Sequence, residues 1–107
     1  MHPVARLQDL PDPGLHSVAL PDGDRVVLVR RGDTVTALAD ECPHQAMPLS
    51  AGELCPDGTV ECPWHGARFD AVSGACRRGP ATDDVAVYAV KVEGGQVFVG
   101  ARQPTQG

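Results

Sequence analysis

Two short runs hold the residues with the most chemical information, Cys42-Pro43-His44 and Cys62-Pro63-Trp64-His65. Each pairs one thiolate with one imidazole, and 17 residues separate His44 from Cys62. The pattern is therefore C-x-H, a gap, then C-x-x-H. A 2Fe–2S cluster with two Cys on one iron and two His on the other needs this inventory. Structural zinc is the competing use of the same residue types. The usual two-Cys, two-His finger, however, keeps its Cys together and its His together. Here Cys and His alternate, with Pro after each Cys, which favours the cluster. Colour separates the two readings, since a 2Fe–2S protein is red-brown and a zinc protein colourless.

Ligands of this kind need rigid loops at strand ends. Pro43, Pro48, Gly52, Pro63 and Gly66 around the runs suit such loops. Apolar, β-branched runs recur over 15–20, 25–30, 34–39, 59–62, 67–69, 85–92 and 96–99. Turn signals lie between them: Pro21-Asp-Gly-Asp24, Arg31-Gly-Asp33, Pro56-Asp-Gly58, Ser73-Gly74 and Gly94-Gly95. Short strands at short spacing predict an all-β sandwich or barrel. No sustained helical period appears, apart from a turn around Met47 to Gly52. At 107 residues the chain is one small domain, 1–107. Strands to residue 39 and from about 83 to 101 form a base, residues 40–82 lie between them with both ligand runs, and 102–107 form a tail.

The stretches Cys42-Pro-His-Gln-Ala-Met-Pro-Leu49 and Cys62-Pro-Trp-His-Gly-Ala-Arg-Phe-Asp70 resemble the Rieske iron–sulfur family. The resemblance implies an antiparallel β base with an inserted cluster-binding subdomain. It implies one 2Fe–2S cluster, with Cys42 and Cys62 on one iron and His44 and His65 on the other. Gly79-Pro80 resembles the proline loop that covers the cluster in the family. On sequence alone it reads equally well as a turn before the next strand.

Charge counting describes such a site. Two ferric ions, two sulfides and two thiolates sum to zero, and one electron takes the site to −1. An all-thiolate site would go from −2 to −3, so His for Cys raises the potential. Reduction also raises the pKa of the imidazoles, which couples electron and proton uptake at high pH. High-potential family members place a Ser after the Gly of the second run and a Tyr two residues later. This chain has Ala67 and Phe69. They also place a Cys in each loop, joined as a disulfide, where this chain has Met47 and Trp64. The chain therefore resembles a low-potential Rieske-type ferredoxin. Such a protein carries single electrons from a flavoprotein reductase to a terminal oxygenase and catalyses nothing itself.

Other readings are bounded by the rest of the chain. A net charge of −5 argues against nucleic acid or an anionic membrane as partner, and suits transient docking on basic protein patches. No stretch approaches the roughly 20 apolar residues of a membrane span, and no apolar run of signal-peptide length opens the chain. These features predict a cytoplasmic protein. Cys55 and Cys76 lie outside the ligand runs and are expected to be reduced thiols. His2, in a terminal tail, and His16, on the first strand, are expected to be solvated. No His follows His65, so the two-His, one-carboxylate iron site of an oxygenase subunit is missing. The alternatives are a small Rieske-like subunit of an assimilatory nitrite reductase or another multi-subunit oxidoreductase, and a redox-sensing module.

Overall fold

The computed structural model describes residues 1–42, 47–63, 66–79 and 83–103. Its ten strands are β1 (His2–Arg6), β2 (Gly14–Ala19), β3 (Arg25–Arg31), β4 (Thr34–Ala39), β5 (Glu53–Leu54), β6 (Thr59–Glu61), β7 (Arg68–Asp70), β8 (Cys76–Arg78), β9 (Val87–Glu93) and β10 (Gln96–Gln103). They form two antiparallel sheets. One has six strands in the order β1-β10-β9-β4-β3-β2, the other four in the order β5-β6-β7-β8. All four strands of the small sheet lie in sequence between β4 and β9. The all-β expectation holds, and its turns fall where Gly does. Gly32 joins β3 to β4 at φ 64°, and the Gly94-Gly95 pair joins β9 to β10 at φ 59° and 75°.

β3 explains how the two sheets share one molecule. Val26, Val27, Leu28 and Val29 are all 0–2 % exposed. Alternate residues of a strand face opposite sides, so a continuous apolar run is buried only when both faces are covered. Val26 and Leu28 pack with Leu10, Leu20, Val35, Ala37, Tyr88, Val97 and Val99. Val27 and Val29 pack with Leu38, Leu49, Val60, Phe69, Ala71 and Val85, which is where the small sheet meets the large one. Cys42, Cys62 and Ala67 belong to this second core.

The chain leaves the large sheet and re-enters it at adjacent points. Ala39 N–H donates to Ala86 O at 2.8 Å, and Val85 N–H donates to Gly74 O at 2.8 Å. A Cβ at Gly74 would collide with the Val85 carbonyl, and Gly74 has φ 75°, so only Gly serves there.

Three strands escaped the sequence pattern. β1 contains Pro3 and is half-exposed, as an edge strand can be. β5 has only two residues, and β8 reads Cys-Arg-Arg. β10 also runs to Gln103, with Arg102 opposite Tyr88 and Gln103 opposite Val87, two residues past the boundary at 101 taken from the pattern. His2 accordingly lies in β1, opposite Val99, rather than in a tail.

Candidate metal centre

Cys42 and Cys62 are each 1 % exposed and sit in the same apolar core. Their loops close in the same way. Cys42 N–H donates to Met47 O at 2.9 Å, and Cys62 N–H donates to Ala67 O at 2.7 Å. Each bond joins residues five positions apart, 42 to 47 and 62 to 67, and each span contains one of the two histidines of the runs in sequence. His44, His65, Trp64 and Pro80 lie outside the described residues. Met47 is half-buried against the core.

The two cysteines fit a bound iron–sulfur group. A thiolate is the metal-binding form of Cys, and a charge buried among apolar side chains is costly unless it is paired or coordinates a metal. Loops that bring two cysteines into one apolar core suit soft metal ligation.

The surroundings of the loops differ. Beside the first run stands Asp40, 8 % exposed, the one buried charged side chain among the described residues. Its Oδ1 accepts Ser50 N–H at 2.7 Å, and its Oδ2 accepts Ser17 Oγ–H at 2.8 Å and Ser50 Oγ–H at 2.7 Å. Arg25 Nη2 donates to Ser17 Oγ at 2.9 Å. One carboxylate thus joins β2, the end of β4 and the 3-10 turn Leu49–Ala51. Beside the second run, Glu61 and Arg68 face each other across β6 and β7. Arg68 Nε donates to Glu61 Oε1 at 3.1 Å, and Arg68 Nη1 lies 3.9 Å from Asp57. The Glu61 hydrogen bond holds the Arg68 guanidinium above its ordinary pKa. Thr59 donates through its hydroxyl to Asp57 at 2.6 Å, which holds that carboxyl below its ordinary value.

The segments flanking the two runs also approach one another. Gly52 follows the first run and faces the Glu61 carbonyl, just before Cys62. A Cβ there would collide with that oxygen, so Gly52 permits the approach.

Ala67 and Phe69 are both fully buried. Neither delivers a hydroxyl to this core, as the sequence comparison anticipated, and the Ser50 hydroxyl is committed to Asp40. Cys55 is buried and in no disulfide, so it does not pair with Cys76. Cys55 sits at the β5–β6 turn, with its N–H donating to Thr59 O at 2.8 Å. Cys76 is half-buried on β8, and its N–H donates to Asp84 Oδ1 at 2.9 Å. His2 and His16 are exposed. Sequence reasoning missed Asp40. Its signal was an acidic residue directly after the apolar Ala37-Leu38-Ala39 and two positions before a ligand run.

A core that spans two sheets and holds two cysteines on matching loops suits a small iron–sulfur module. The family model described as the Rieske [2Fe-2S] domain matches residues 1–89. The chain belongs to this family, and its cofactor is a Rieske-type 2Fe–2S cluster.

Individual relatives narrow the class. The chain is 40 % identical over 74 residues to the 3-phenylpropionate/cinnamic acid dioxygenase ferredoxin subunit of Escherichia coli K12, covering 69 % of this chain and 70 % of that protein. It is 37 % identical over 98 residues to human apoptosis-inducing factor 3, covering 92 % of this chain but only 16 % of that protein. Among solved structures, the ferredoxin of carbazole 1,9a-dioxygenase from Nocardioides aromaticivorans IC177 superposes with TM-score 0.85 at 35 % identity, covering 92 % of this chain and 94 % of the other. A ferredoxin in complex with reduced oxygenase, also of carbazole 1,9a-dioxygenase, gives 0.86 at 30 % identity, covering 92 % and 99 %. A putative small subunit of NADPH nitrite reductase gives 0.80 at 27 % identity, covering 92 % and 96 %. Among the described residues no helix is long and apolar enough to cross a membrane.

Proposed function

We propose that this chain is the ferredoxin of an oxygenase system. It takes single electrons from a flavoprotein reductase and passes them to a terminal oxygenase in the cytoplasm. The reading rests on one observation, the two buried cysteines held by matching loop closures in one core. The ferredoxin subunits among the relatives support it.

In this reading Cys42 and Cys62 supply the thiolates, and His44 and His65 supply ring nitrogens. When bound, the cluster supplies reversible one-electron chemistry. The apolar core around the cysteines excludes water from the thiolate side. Ala67 and Phe69 withhold hydroxyl donors, and so withhold stabilisation of added negative charge. In this reading the potential is expected at the low end of the Rieske range, roughly −150 mV rather than about +300 mV.

Voltammetry at neutral pH, followed by mixing with a flavoprotein reductase and a ring-hydroxylating oxygenase, tests the proposal. A low potential with electron transfer through both partners is expected. A potential well above zero, or turnover only with a sirohaem nitrite reductase, would replace it with the small-subunit reading.

A further inference from the structure

We propose that Asp40 is a positioning residue for the first ligand run and holds the site's potential down through its buried charge. The inference rests on the cluster reading above and concerns a residue outside the four ligands.

The geometry is that of a brace. The three hydrogen bonds to Asp40 come from β2 and from the 3-10 turn that follows the first run. Asp40 N–H donates to Arg25 O at 3.0 Å, which fixes its own backbone to β3. The first run therefore starts from Asp40 and returns to it through Ser50. The loop is pinned at both ends by one side chain.

The electrostatics follow from the same placement. Asp40 lies two residues before Cys42 and is 8 % exposed. A buried charge acts on its neighbours with far less screening than a surface charge does. Reduction would add one negative charge to the site, and a buried carboxylate two residues before Cys42 in the chain opposes it. The Arg25 guanidinium reaches Asp40 only through the Ser17 hydroxyl. Arg25 is itself exposed, so it offsets the carboxylate incompletely.

Two variants and a control test the proposal by sign. Asp40→Asn keeps the shape and an oxygen acceptor for Ser50 N–H but removes the charge. Ser50→Ala keeps the charge and removes one donor that partly neutralises it. Asp9→Asn removes an exposed carboxylate on the Leu7–Asp9 turn, outside both runs. Iron and sulfide content and the visible spectrum are read first, then the midpoint potential at low and high salt.

The expected result is an upward shift for Asp40→Asn that persists in high salt. Ser50→Ala should shift downward and lose its cluster to a chelator several-fold faster. Asp9→Asn should show little shift, and none in high salt. An Asp40→Asn potential equal to that of Asp9→Asn would overturn the proposal. So would Ser50→Ala shifting the same way as Asp40→Asn. Should Asp40→Asn fail to load the cluster, Ser50→Ala and Ser17→Ala carry the sign test alone, and an upward shift in both would overturn it. A wild-type protein without iron would overturn the cluster reading itself, and this proposal with it.

Discussion

The two ligand runs close alike and are anchored differently. Both use a Cys N–H bonded to a carbonyl five residues on. The first run is tied to the large sheet by a buried carboxylate with three hydrogen bonds from two elements. The second is tied within its own β6–β7 hairpin, by strand register and by the Glu61–Arg68 ion pair, whose side chains are 28 % and 33 % exposed. In the proposed reading the closure recurs because each Cys serves as a thiolate ligand in the same core. Anchoring differs because the first run joins two sheets and has no hairpin register to rely on.

The largest effects should ignore this difference. His44→Ala and His65→Ala should each lose the cluster and much of the stability, because metal binding is coupled to folding. Iron analysis and thermal unfolding check this. A variant that keeps full iron content would remove that histidine from the ligand set.

Anchoring should separate the runs next. Asp40→Ala leaves two hydroxyls and one part-buried N–H without their acceptor, and should cost about 3 kcal/mol. Arg68→Ala breaks a partly solvated pair and should cost about 0.5 kcal/mol. Denaturant unfolding of both loaded variants gives the comparison. Equal losses would mean that the second run is braced as strongly as the first.

A smaller, pH-dependent effect belongs to the turn between β7 and β8. Asp70 Oδ1 accepts Ser73 N–H at 2.9 Å and Val72 N–H at 2.8 Å. The Ser73 N–H bond is the main cause holding this carboxyl below its ordinary value. A depressed folded pKa contributes stability above the unfolded value of about 3.9. That contribution disappears as pH falls through the folded value. Asp70→Asn should lose about 1 kcal/mol at neutral pH and show a shallower acid limb than wild type. An unchanged acid limb would contradict the assignment.

The smallest effect is expected at the remaining cysteines. Replacing Cys55 and Cys76 together by Ser should leave the visible spectrum and iron content unchanged. Cluster loss in a folded double variant would place one of them in the site.

How much of this was legible in the sequence varies with how local the cause is. The Val26–Val29 run, the Gly turns and the cysteine runs announce themselves through composition and spacing. Their determinants are local: side-chain shape, positive φ and ligand chemistry. β5 and β8 do not announce themselves. Two residues carry no period, and Cys76-Arg77-Arg78 becomes a strand only because β7 is there to pair with it. Pro3 hid β1, whose pairing with β10 crosses almost the whole chain. Asp40 was hidden for the same reason. A lone acid after a strand reads as solvated until Ser17 and Ser50 are brought to it from either side.

In the proposed reading both runs hold a single 2Fe–2S cluster. The most direct measurement is metal and acid-labile sulfide content of the purified chain, together with its visible spectrum. Two irons and two labile sulfides per chain with red-brown absorption are expected. Stoichiometric zinc with no visible absorption would contradict it.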